Sequence, residues 1–133
     1  MINSKSDVQP EKKKSKSGLI ITLSILGVMA IAMTFGALYY NYRKDKEKTY
    51  ISNPKVGDVY EIEMRSGNFS TAKVLQVTQD SVYTTENNLE TDQLKGISEI
   101  DIDRNYGILK NAHSRKEIER LFMQDTIFAI NRN

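Results

Sequence analysis

The residues best placed for chemistry lie in one acidic stretch. Asp101-Ile102-Asp103-Arg104-Asn105 opens with the D-x-D-x-N spacing of a calcium loop, in which carboxylate and amide oxygens surround a hard cation. The pattern then fails: Tyr106 stands where the sharp turn needs glycine, Gly107 comes one residue late, and Ala112 occupies the position of the bidentate glutamate. The stretch therefore reads first as the solvated face of a strand running into a loop. A sensor that binds a cation or small ligand through residues 99–103 is kept as the second functional reading.

The remaining reactive residue types lack partners at useful spacing. The single histidine, His113, directly precedes Ser114 and has no second ligand or catalytic partner near it in sequence. There is no cysteine, which excludes a disulfide framework, a thiolate zinc site, a cysteine nucleophile and an acylated lipoprotein cysteine. Serines and threonines are plentiful, but no G-x-S-x-G elbow surrounds any of them. Glu61 and Glu63 share the outer face of one strand and so read as solvated carboxylates rather than an acid/base pair. Gly57 and Gly67 do not lie in a Gly-rich strand-to-helix turn that could cradle phosphate. Asn68-Phe69-Ser70 forms a glycosylation triplet, relevant only in a eukaryotic secretory setting. No catalytic, cofactor-binding or metal-ligating residue is expected, and the chain is read as non-enzymatic.

The chain around these residues has 133 residues with 19 Lys+Arg, 17 Asp+Glu and a net charge of +2, which allows one small domain. Residues 1–17 are polar and Lys-rich and read as a flexible basic tail, unable to bury enough surface to offset the entropy of ordering. Residues 18–40 carry no charge at all, a run of 23 that is long enough to cross a hydrocarbon core of about 30 Å as a helix. Thr22, Ser24 and Thr34 can return their hydroxyls to carbonyls one turn back, so they fit such a helix. Lys12, Lys13, Lys14 and Lys16 crowd one end, and Tyr39, Tyr40, Tyr42, Arg43 and Lys44 mark the other as an interface belt. A cleaved signal peptide is the rival reading, since Ala30-Ile31-Ala32 has the small-x-small form of a cleavage site. The apolar run continues past Ala32, however, which favours a retained anchor. Gly27, Ala30, Thr34 and Ala37 recur at spacings of three, four and three and line one helical face with small side chains, as close pairing with a second span requires.

Residues 41–54 read as a charged linker, closed by Asn53-Pro54, and residues 55–133 as a small β-rich domain. Period-two alternation predicts strands over 59–65, 69–78 and 82–85, joined by turns at Ser66-Gly67-Asn68 and Gln79-Asp80-Ser81. Alternation of Ile100 and Ile102 with Glu99, Asp101 and Asp103 predicts a fourth strand over 97–102. Ser114 followed three residues later by Glu117, with Ile118, Leu121 and Phe122 behind, predicts a capped amphipathic helix over 115–123. A last apolar strand over 127–130 should pair with and cover an open sheet edge. The fold class is thus a single transmembrane α-helix followed by a small mainly-β domain, an SH3-like barrel or twisted sheet of about five strands with one short helix.

The head resembles small bacterial single-span membrane proteins with a C-terminal β-rich domain. The likeness rests on Lys55-Val56-Gly57-Asp58-Val59-Tyr60, on Phe69-Ser70-Thr71-Ala72-Lys73-Val74 with Asp80-Ser81-Val82-Tyr83, and on residues 114–122 followed by Ile127. It covers residues 55–130 and implies a membrane-tethered small β domain, with no site residues to carry over; the expected location is the bacterial inner (cytoplasmic) membrane, crossed once.

Orientation is less legible. Five Lys and Arg residues flank the span on each side, so the positive-inside count ties. Dense lysines without interleaved acids on the amino side favour a cytoplasmic amino terminus and an outer domain. The net charge divides unevenly: residues 1–17 carry +3, residues 41–56 carry +3, and residues 57–133 carry -4. The basic collars suit the lipid bilayer, while the acidic head should be repelled by anionic lipid and by nucleic acid. The expected partners are therefore an envelope protein docked on the β domain and a second span, with no nucleic acid and no cofactor. An interaction or structural protein, such as a subunit of an envelope complex, is the leading functional reading.

Overall fold

The computed structural model describes residues 16–133, so Lys12, Lys13, Lys14 and most of the basic tail lie outside the described residues. The chain divides into a first unit ending at Asn41 and a second unit, Tyr42–Asn133.

The first unit is built on α1 (Lys16–Ser52), which is long and apolar enough, near the amino terminus, to cross a membrane. Its large apolar side chains from Leu19 to Leu38 are exposed. The three hydroxyls turn back as expected: Thr22 donates to the Gly18 carbonyl, Ser24 to Ile20 and Thr34 to Ala30, each at 2.8 Å.

The charged stretch read as a linker is helical as far as Ser52. Acids interleaved with bases support that helix, with Arg43 and Glu47 paired one turn apart at 3.3 Å. Glu47 and Ile51 are buried within the second unit, so this part of α1 belongs to the domain. The helix stops where Pro54 restricts Asn53.

The second unit holds a five-stranded antiparallel sheet in the order β4-β3-β2-β1-β5. The strands are β1 (Val59–Glu63), β2 (Phe69–Val77), β3 (Ser81–Glu86), β4 (Asn111–Ser114) and β5 (Ile127–Asn131). In the β1–β2 hairpin Gly67 takes a φ of 85°, which a Cβ would oppose. β5 pairs with β1, Tyr60 opposite Ile130, and covers that edge as its sequence predicts. β4 and β5 remain the two outer strands, so the sheet is open and no barrel closes.

One predicted strand is not a strand. Residues 97–102 form instead a single helical turn, α2 (Ile97–Ile100), after a 3-10 turn at Leu94–Gly96. Buried Ile97 and half-buried Ile100 stand three apart, whereas Ile102 is exposed, so the helical spacing prevails over the alternating one. The Ile100 carbonyl accepts from the side-chain amides of Asn87 at 2.7 Å and Asn105 at 2.9 Å. Side chains thereby supply what a neighbouring strand would have given the backbone. The fourth strand is β4, whose sequence Asn111-Ala112-His113-Ser114 has almost no apolar signal and is held by pairing to β3.

The helix α3 (Arg115–Met123) has the predicted bounds. The Ser114 hydroxyl accepts from the Glu117 amide at 3.1 Å, satisfying one orphan donor of the first turn. Ile118 and Phe122 point into a core with Tyr60, Val74, Val82, Ile127 and Ile130, to which α1 adds Ile51. Each fully buried aliphatic or aromatic side chain of this kind contributes about 1.5–3 kcal/mol.

Candidate functional site

Alternation along β1, β2 and β3 sends Tyr60, Ile62, Ala72, Val82 and Thr84 to the same face of the sheet. Nine-residue α3 is too short to roof all of it. Between α3 and the β1–β2 turn it leaves a groove of about 500 Å³, floored by Ile62, Ala72, Ile118, Leu121 and Ile127. Glu63, Glu86 and Glu90 stand round it with Arg65 and His113. Glu90 accepts from Asn68 at 3.1 Å, and His113 Nδ1 lies 3.5 Å from a Glu117 oxygen. Glu63 and Glu86 have no basic partner among the described residues.

Tyr60 lies deep beside this groove, 1% exposed. Its hydroxyl has no hydrogen-bond partner among the described residues. Burial, and next the Asp58 carboxylate, push its pKa above the ordinary tyrosine range.

The opposite face carries a polar chain instead of a groove. Asn87 donates to the Thr71 hydroxyl at 3.1 Å, and Thr71 and Tyr106 hydroxyls lie 2.8 Å apart. Tyr106 in turn donates to Asp101 at 2.5 Å. A carboxylate only accepts, so Thr71 must be the donor to Tyr106 and every bond of the chain runs in one direction. Burial and then the bond to Asp101 raise the Tyr106 pKa. Lys73 lies 4.4 Å from the centre of the Tyr106 ring and bonds Asp103 at 2.6 Å, which lowers the Asp103 pKa.

These contacts decide what the acidic stretch can do. Asp101 is held by a tyrosine and Asp103 by a lysine, while Glu99 is exposed, so the three carboxylates do not converge. Among the described residues no three His, Asp or Glu side chains gather as a metal site would need.

The other sequence-selected residues lie on α1. Gly27, Ala30, Thr34 and Ala37 share one side of its first part by spacing, and the Gly27 position has open space where a side chain would stand. Tyr39 and Tyr40 are exposed there. Tyr42, Arg43 and Lys44 belong to the second unit, where Lys44 bonds Asp125 at 3.3 Å and lies 5.1 Å from the Phe122 ring centre. One of the expected lipid-facing bases is therefore engaged with α3 and the turn after it.

No family model, curated protein or solved structure matches this chain. The chemistry of the site has to be read from its own geometry. The groove offers an apolar floor and a rim with a surplus of carboxylates, which suits an apolar segment accompanied by basic groups. Its walls were half legible in sequence: alternation places Ile62 inward, and helical spacing places Leu121 toward the sheet. The gap itself depends on the length of α3 relative to the sheet, which no local pattern carries.

Proposed function

We propose that the chain is a non-enzymatic, membrane-anchored interaction protein of the bacterial inner membrane. In this reading α1 spans the bilayer, the amino terminus is cytoplasmic, and the β domain lies outside, docking another protein chain of the cell envelope. The observation that carries the reading is the apolar groove beside α3, open to solvent and edged by Glu86, a carboxylate without a basic partner among the described residues. The uncharged run of α1 and the basic residues around it support the anchor.

Two measurements test the proposal. The chain has no cysteine, so Ser6→Cys and Asn133→Cys report their sides without background. An impermeant maleimide should label position 133 in spheroplasts and position 6 only after permeabilisation; the reverse pattern overturns the orientation. A photo-crosslinking residue at position 121 of the full chain should yield a protein adduct that the same residue at exposed position 116 does not. Adducts to lipid alone, or equal adducts from both positions, refute docking in the groove.

A further inference from the structure

The segment 104–110 is the counterpart of the groove in chemistry. Ile108 is 99% exposed and Leu109 73%, an apolar pair at the tip of a loop with nothing over it. Arg104 and Lys110 flank the pair, and no acid lies between them. The groove has the converse character: an apolar floor and three glutamates to one arginine round it. Glu86 lines both this groove and the cleft beside Ile108 and Leu109, so knob and groove adjoin across the end of β3. Two complementary features side by side on one molecule are what a two-fold exchange between copies requires, each knob entering the other copy's groove.

We infer that the occupant of the groove is the loop 104–110 of a second copy of this chain, with Ile108 and Leu109 seated on Ile62, Leu121 and Ile127. The inference rests on the reading of the groove as a protein-docking site and names the partner. The apolar pair supplies the desolvated centre, and Arg104 meets the carboxylate of Glu86, which has no basic partner among the described residues, at the rim. Lys110 already bonds Gln76 and lies 4.6 Å from the centre of the Tyr83 ring, so it braces the knob rather than pairing across. Pairing of this kind leaves the sheet edges and the small-residue side of α1 unused.

The experiment uses two full-length variants in detergent or nanodiscs, Leu109→Cys and Leu121→Cys, mixed and treated with a short bismaleimide. A disulfide-free, cysteine-free background makes each product assignable. The mixture should give a linked dimer at least five-fold above either variant alone. Adding Ile108→Asp, at a position too exposed to unfold the domain, should cut that product at least ten-fold, and Arg104→Glu should cut it several-fold. A mixture that links no better than the single variants, or linkage indifferent to Ile108→Asp, overturns the inference. If the photo-crosslinker at position 121 then still captures a different protein, the docking reading stands and only the second copy is refuted. If it captures no protein at all, both fall.

Discussion

Truncating Arg132 to alanine should cost the Tyr42–Asn133 unit about 3–4 kcal/mol. Arg132 reaches back to Asp58 with two parallel bonds, Nε to Oδ1 and Nη2 to Oδ2, both 2.7 Å. Asp58 is 1% exposed in its side chain, whereas Arg132 is 16% exposed. The two ends of the pair therefore respond differently to loss of the other. A freed Arg132 can turn to water, but an abandoned Asp58 stays buried, and removing one partner of a buried pair costs about 3–5 kcal/mol. The Lys55 amide still donates to Asp58 at 2.8 Å, which places the loss at the lower end of that range. Arg132 also lies 4.0 Å from the Tyr50 ring centre and donates to the Asn53 carbonyl at 2.8 Å, adding roughly 1 kcal/mol. A domain of this size has about 5–15 kcal/mol in total, so the variant should lose a large share of it. Urea unfolding of the full chain, followed by circular dichroism of the sheet, measures the loss. The double variant Asp58→Asn/Arg132→Ala should be less unstable than the two single losses added together. If Arg132→Ala costs under about 1 kcal/mol, or the two losses simply add, the buried pair does not hold the domain as argued.

Other outcomes follow from single contacts. Ser114→Ala removes the cap on the Glu117 amide and should cost about 1 kcal/mol, read from the same unfolding curves. Ile118→Ala, which empties part of the core between α3 and the sheet, should cost about 2–5 kcal/mol. Tyr60 and Tyr106 hold their protons above the ordinary tyrosine range. With folded pKa values raised above the unfolded value, their stabilising contribution is complete below about pH 10 and is lost as pH rises through the folded values. Unfolding midpoints should accordingly fall between pH 10 and pH 12, and less so in the double variant Tyr60→Phe/Tyr106→Phe, a contrast that unfolding curves across that range would check.

Local patterns carried most of the elements. Alternation found β1, β2 and β3, and the Ser114 cap with Ile118, Leu121 and Phe122 gave α3 its bounds. The failures lie where local preference and long-range pairing diverge. Ile97, Ile100 and Ile102 satisfy both a helical and an alternating template, and the choice is made by Asn87 and Asn105 bonding the Ile100 carbonyl from elsewhere in the chain. β4 has no intrinsic strand signal, and it is a strand only because the free edge of β3 lies beside it. Residues 41–52 looked like a linker because charge dominates their composition, while the two positions that tie them to the domain, Glu47 and Ile51, are buried by residues far along the chain. The groove belongs to the same class, since it arises from the size of one element against another.

The pairing of Asp58 with Arg132 spans 74 residues, and β5 closes on β1 over nearly the same separation. During synthesis β1 therefore lacks one side of its ladder, and Asp58 its guanidinium partner, until residues 127–132 have been made. The apolar stretch of α1 leaves the ribosome long before that point. On the proposed anchoring and orientation, engagement of a bilayer by α1 would thus precede completion of the sheet, and the domain would travel as an unfolded chain. Cooperative folding would then begin only after transit, with β5 and Arg132 as the last pieces to arrive.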